Sequence, residues 1–251
     1  MLDAWRLSVG TLTALRVRHP TTINRRVAGT AMLLAPLAVI PLGVLVGVVG
    51  WAGCELDLAP LALGVVMVGV LALGSRALHL DGLSDVADAL TVSYDPDRSL
   101  AVMKSGTSGP AGSAAIVLVL GVQAAAFAAV ICEPRGPVVA GFLVCASRAI
   151  LWVTCAHGVP GARRGGLAAS YVGTVPVATA GIGMVALAGA SGALLAWAGH
   201  DGWHGPAIVV AGLTAGGLIT YRCVRRFGGV TGDVFGAAIE ITLATMLLGA
   251  T

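Results

Sequence analysis

The sequence predicts an all-α integral membrane protein, a polytopic bundle of about seven transmembrane helices whose charged residues gather on one face. Three observations carry that prediction. First, the 251 residues are 57% hydrophobic and only 11% charged, against roughly 25% charged in ordinary soluble domains. The mean hydropathy is +0.92, and a soluble chain of this size has too much surface to cover with so few charges. Second, the apolar residues fall in runs long enough to cross a bilayer, which takes about 20 residues of helix. Third, the basic residues sort to one side of those runs.

Taken in order, residues 1–26 form an amphipathic, interfacial N-terminal segment, MLDAWRLSVGTLTALRVRH at its start, without the charged head and apolar core of a cleavable signal. Seven spans follow near 28–50, 59–78, 112–131, 137–157, 176–198, 206–221 and 234–250. The sixth is short and Gly-rich. The run from Ala59 to Leu78 is broken only by Ser75 and Arg76. Uniformly apolar runs lack the period-2 alternation of a membrane barrel, so helices are expected throughout. Spacings such as Gly43/Gly47, Gly212/Gly216 and Gly232/Gly236 suit close helix packing. The five cysteines form no CxxC pair and read as small apolar residues. The whole chain, 1–251, reads as one membrane domain.

Orientation follows from the cations. With seven spans, the N-terminal side holds Arg6, Arg16, Arg18, Arg25, Arg26, Arg76, Arg98, Lys104, Arg163, Arg164, Arg222, Arg225 and Arg226. The opposite side has only Arg135, and Arg148 falls inside the fourth span. The N-terminal side is therefore expected to be cytoplasmic, with the C-terminus outside. The longest loop, roughly 79–111, is then cytoplasmic and rich in aspartate.

That loop opens with LHLDGLSDVADALTV. Asp81, Asp85 and Asp88 stand at i, i+4 and i+7, which on a helix is one narrow stripe. Three like charges on a stripe repel. The arrangement makes sense if a divalent cation sits there, and carboxylate oxygens suit Mg²⁺ or Mn²⁺ with phosphate completing the shell. The plainer reading is a solvated acidic face. Gly82 would let a ligand approach the backbone, and His79 reads either as a base or as a polar group at the helix end.

A second constellation is RRFGGVTGDVFGAAIE, 225–240, where Asp233 and Glu240 share a face. Glu240 lies in an apolar helix, where an ionisable group is functional by default or pairs with a cation such as Arg148. Arg148 itself reads as a phosphate clamp or an interhelical ion pair. A third, VMKSGTSGPAGSA at 102–114, is a Gly-rich turn whose amides can cradle phosphate beside Lys104, or a plain loop. Arg163 and Arg164, ahead of Gly165 and Gly166, read as anion contacts or, more simply, as positive-inside residues. His200, Asp201 and His204 read as an interfacial turn anchored by Trp203. Together the carboxylates, the Gly-rich turn and the arginines suit metal-assisted transfer on a diphosphate.

At these residues the chain resembles the cobalamin synthases, the adenosylcobinamide-GDP ribazoletransferase family. The matching pieces are HLDGLSDVADAL at 79–90, DRSLAVMKSGTSGPAG at 97–112, SRAI at 147–150 and GGVTGDVFGAAIE at 228–240. Their order and spacing fit from about residue 10 to the C-terminus. The resemblance implies an Mg²⁺-dependent enzyme that joins adenosylcobinamide-GDP to α-ribazole or its 5′-phosphate and releases GMP. It implies catalytic roles for Asp81, Asp85, Asp88, Asp233 and Glu240, the four aspartates also holding metal. Substrate contacts are implied for His79, Gly82, Lys104, Gly109, Arg148, Thr231 and Gly232. The chain departs from the family at two places. A K-D-S-R turn reads Lys104, Ser105, Gly106, Thr107, and an L-T-R-L-P run reads Leu12, Thr13, Ala14, Leu15, Arg16.

Two alternatives remain at this point. One is a membrane phosphotransferase acting on CDP-alcohols, whose motif Asp81-Gly82 begins but 85–86 does not continue. The other is a transporter using Arg148 and Glu240 as an ion relay. No nucleic acid is expected as a partner, and the sequence leaves the oligomeric state open.

Overall fold

The structure is a computed structural model that describes residues 1–251 apart from Ser105, Arg164 and Gly166 and the side chain of Leu167. Ser105 of the altered turn, and Arg164 and Gly166 of the arginine–glycine run, thus lie outside the described residues. The helices are α1 Leu2–Leu12, α2 Arg25–Leu33, α3 Ala35–Ala38, α4 Ile40–Glu55, α5 Pro60–Gly74, α6 Leu78–Val92, α7 Pro96–Met103, α8 Pro110–Ile131, α9 Gly136–Ser147, α10 Ile150–Thr154, α11 Val177–Ala198, α12 His204–Phe227 and α13 Gly232–Gly249. Among the described residues there is no strand, only isolated bridges at Ala156–Val175 and Gly161–Val230. This is the polytopic helical class read from composition.

Each expected span has a counterpart, but they differ in completeness. Helices α8, α11, α12 and α13, and α9 with α10, are each long and apolar enough to cross a membrane. The first span is broken. Its α4 has 16 residues, and α2 and α3 precede it across interruptions at Leu34 and Val39. Pro36 and Pro41 lie at the starts of α3 and α4, where a residue without an N–H costs least and where the helix behind must stop. The second span, α5, ends at Gly74, and the chain bends by 95° into α6. Arg76 and Ala77 take the bend with φ of 59° and 55°, a left-handed conformation unusual for residues with a Cβ. We take α5 as the spanning piece and α6 as the helix that turns out of it.

The expected loop 79–111 is therefore mostly helix, with α6 packed against α13 and α8. The N-terminal segment is held to the bundle at the bend. Arg76 donates to the Gly10 carbonyl at 2.6 Å, and the Ala14 amide to the Gly74 carbonyl at 2.6 Å. Asp3 accepts from Thr21 and Thr22, which folds residues 13–22 back along α1.

Close packing rests on small residues, as expected in lipid. A Cβ built on Gly43 of α4 would stand 2.5 Å from the Gly141 carbonyl of α9, and one on Gly141 equally close to the Gly43 carbonyl. Side chains such as Val44, Leu61, Leu118, Val185 and Leu218 point outward and are exposed. An apolar exterior this extensive belongs in a bilayer rather than in water.

Candidate active site

The site forms where α6 crosses the start of α13. Gly82 lies against the Asp233 backbone, and Gly236 against the His79 backbone, so neither helix offers a side chain to hold the other away. Thr231 caps α13. Its hydroxyl accepts from the Val234 amide at 3.4 Å and lies 3.1 Å from an Asp233 carboxylate oxygen, to which it donates. A third segment is pinned over the crossing by backbone bonds, Ala162 N–H to the Val230 carbonyl at 3.0 Å and Val230 N–H to the Pro160 carbonyl at 2.9 Å. These bring Arg163 to the site.

Between these pieces lies a cavity of about 270 Å³ whose polar lining includes His79, Asp81, Arg163, Thr231 and Asp233. Its apolar wall includes Met32, Leu151 and Phe235. Tyr171 and Thr11 line it too and hydrogen-bond each other at 3.2 Å, so the N-terminal helix closes one side. The arrangement is one cation facing two carboxylates at the end of a helix whose first-turn amides are directed the same way.

The acidic stripe of α6 does not face this cavity along its whole length. It descends into the protein: Asp81 is exposed, Asp85 half-buried and Asp88 buried. Asp85 lies beside the cavity within electrostatic range of its acids. Burial, followed by the charges of Asp81, Asp233 and Asp88, pushes its carboxyl up to about 6. Asp88 has a different task from the metal ligation expected of it. It accepts from the Gly109 amide at 2.6 Å and the Gly112 amide at 2.8 Å, capping α8 from a neighbouring helix. Both its oxygens are engaged, because α8 has no cap side chain of its own. Gly109, expected at the substrate, serves this contact: a Cβ there would stand 2.6 Å from an Asp88 oxygen. Gly82 likewise serves the helix crossing.

Three other expected residues lie away from the cavity. Lys104 is exposed at the end of α7. Glu240 is buried one helical face deeper, accepting from Gln123 at 2.7 Å with His79 Nδ1 at 3.7 Å. Arg148, 1% exposed, donates to the Val144 carbonyl at 2.7 Å and to Ser147 Oγ at 2.9 Å. It influences Glu240 through charge. Gly232 does line the cavity. Sequence reasoning missed Tyr171 and Thr11, and preferred a topology signal to an anion contact for Arg163, which the structure places in the cavity lining. The pairing of 160–162 with Val230, which moves Arg163 inward, leaves no trace in local sequence.

Among the described residues, no group of three or more His, Cys, Asp or Glu side chains is arranged to cage an ion. Magnesium does not need one: it keeps several waters and takes one or two carboxylates together with substrate phosphates. Asp81 and Asp233 on the cavity wall, with Asp85 held against its own ionisation beside them, fit that requirement.

A helical membrane bundle with acids and a cation gathered at one helix crossing is the kind of polar site a membrane-embedded enzyme requires. Comparison with known proteins identifies it further. The family model for cobalamin-5-phosphate synthase matches residues 4–251. An adenosylcobinamide-GDP ribazoletransferase of Nocardioides sp. (strain JS614) is 52% identical over 248 residues, covering 99% of this chain and 98% of its own length. Proteins of the same name from Frankia casuarinae and Pseudomonas aeruginosa are 36% and 34% identical, covering 99% and 94% of the chain and 94% and 93% of their own lengths. No solved structure matches. The chain belongs to the cobalamin-5-phosphate synthase family, and it is a membrane-bound transferase of cobalamin biosynthesis.

Proposed function

We propose that the chain transfers the adenosylcobinamide-phosphate group of adenosylcobinamide-GDP to α-ribazole or its 5′-phosphate, releasing GMP and forming adenosylcobalamin or its 5′-phosphate. The observation that carries this reading is the meeting of Asp81, Asp233 and Arg163 in one cavity at the α6–α13 crossing, on a chain whose relatives bear that activity in their names. The ribose hydroxyl of α-ribazole forms a bond to the cobinamide-side phosphorus, the bridging P–O bond breaks, and GMP leaves with the electron pair.

Asp81, Asp233 and Asp85 would hold Mg²⁺. When bound, the ion neutralises charge on the diphosphate and on the departing phosphate. The protein's own side chains supply the rest. Arg163 reaches into the cavity, where it can bind a phosphate oxygen as it becomes more negative. Thr231 fixes the Asp233 rotamer through its hydroxyl. Tyr171, Thr11 and the apolar wall limit water on the reacting side. The attacking hydroxyl must give up its proton, and the carboxylates of the cavity are the nearest acceptors the site offers. Lys and Arg crowd the loops on this side of the spans, which supports a cytoplasm-facing site in the bacterial plasma membrane.

The test is GMP release by purified, detergent-solubilised protein given adenosylcobinamide-GDP and α-ribazole, first with Mg²⁺ and then with excess chelator. Metal-dependent GMP release with a cobalamin product is expected. Release that persists in chelator would remove the metal from the proposal, and no release from folded protein would remove the reaction.

A further inference from the structure

We propose that an apolar groove separate from the α6–α13 cavity holds a membrane phospholipid, with its acyl chains along the groove and its phosphate on Arg135. The groove runs between α4, α9 and α11 and encloses about 860 Å³, within the range of specific small-molecule sites. Three features make it a built cleft rather than ordinary lipid-facing surface. Its floor is the glycine contact of α4 with α9, where Gly43 and Gly141 bring the two backbones together. One wall is a strip of small residues on α11, Gly183, Ala186 and Ala190. The inner end is closed by Trp152, whose indole N–H donates to the Leu33 carbonyl at 3.2 Å and whose ring occupies the space a Cβ on Gly183 would take.

The outer end is where the occupant is recognised. Arg135 sits in a left-handed turn, φ 64°, immediately before α9, exposed at the groove mouth. Its guanidinium lies over the Trp197 ring at 4.4 Å, and Trp51 stands on the opposite rim. Among the described residues Arg135 has no carboxylate within ion-pair distance. A cation framed by indoles at the end of an apolar cleft is complementary to a phosphate at the lipid–water boundary. Glu55 and Glu133 belong to the same end of the bundle, which favours a headgroup that carries an amine beside its phosphate. The inference does not depend on the proposed reaction, because the groove and the α6–α13 cavity share no lining residue.

The experiment counts bound lipid by native mass spectrometry on detergent-purified protein supplied with palmitoyl-oleoyl phosphatidylethanolamine or the matched diacylglycerol. Wild type is expected to retain one phosphatidylethanolamine per chain in preference to diacylglycerol. Ala190→Trp, which fills the groove, is expected to retain about ten-fold less of either. Arg135→Gln is expected to lose the preference for phosphatidylethanolamine while still binding diacylglycerol. Val44→Trp fills the cleft from the opposite wall and stands in if Ala190→Trp fails to fold. Equal retention by all variants, or none by wild type, would overturn the proposal. So would a filled variant that changes from dimer to monomer with its lipid count intact, since the groove would then belong to a second copy.

Discussion

Gly82 of α6 lies directly against the backbone of Asp233 at the first turn of α13. A Cβ built on Gly82 would stand 2.5 Å from the Asp233 carbonyl oxygen and 2.9 Å from its Cα. Both are main-chain atoms that cannot rotate away. The distance between the acids of α6 and the acid of α13 is therefore set by the absence of one methyl group. Gly82→Ala should push the helices apart and cost about 1–3 kcal/mol as an overpacked contact. It should also lower GMP release by more than the loss of folded protein explains, because Asp81 and Asp233 no longer meet across the cavity. Melting curves and turnover measured on the same preparation separate the two effects. Full activity in Gly82→Ala would mean that the crossing does not position the site.

Asp85 and Asp88 are three residues apart on one stripe, and the structure gives them opposite jobs. Asp88→Asn replaces an oxygen that accepts a backbone N–H with an amide group that cannot. The loss of a charged, buried hydrogen bond is worth about 1.5–3 kcal/mol. The expected outcome is a melting midpoint lowered by roughly 4 °C or more, with residual activity in the protein that remains folded. Asp85→Asn removes like-charge repulsion and should leave insertion and melting intact while abolishing GMP release. The same phenotype in both variants would contradict this division of labour.

The raised carboxyl of Asp85, about 6, fixes a pH dependence with a definite sign. In the folded protein Asp85 holds its proton to higher pH than in the unfolded chain, where the ordinary value is 3.8. Its stabilising contribution is therefore complete below about 3.8 and is lost as pH rises through about 6. A divalent cation competes with that proton, so Mg²⁺ should bind more tightly as pH rises through the same window. Mg²⁺ titrations of GMP release at pH 5.5, 6.5 and 7.5 check this, as do melting curves with and without Mg²⁺. Affinity that is flat with pH would take Asp85 out of the metal site.

These variants also show which parts of the site were legible in the sequence. The spacing of Asp81, Asp85 and Asp88 placed them on one helical stripe, and that stripe exists, because periodicity follows from backbone geometry alone. What periodicity cannot show is depth. The stripe dips beneath α8, so its last member became a cap for Gly109 and Gly112, a relationship 21 and 24 residues away in the chain. The spans were legible for the same reason of length and apolarity, whereas the 95° bend after α5 depends on two non-glycine residues adopting φ > 0. The prolines at 36 and 41 did mark the breaks in the first span, but an uninterrupted apolar run masked them.

Arg163 is the residue that sequence reasoning undervalued, and it gives the most direct test of the cavity. It sits across from Asp233, close enough to act on that carboxylate through charge, and it donates to the Leu100 carbonyl. That second contact ties the loop carrying Arg163 to α7, so Arg163→Lys and Arg163→Gln must be compared. Lysine keeps the charge but loses the planar fork that matches a phosphate. Glutamine loses both. If Arg163 stabilises negative charge that grows as the bridging bond breaks, Gln should lower kcat by about 10²–10³. Lys should recover part of that loss, and the KM for α-ribazole should change little. If it serves only to hold the loop, both variants should lower the melting midpoint alike and leave the turnover of folded protein unchanged. The ratio of the two kcat values, taken from GMP release at saturating substrate, decides between them.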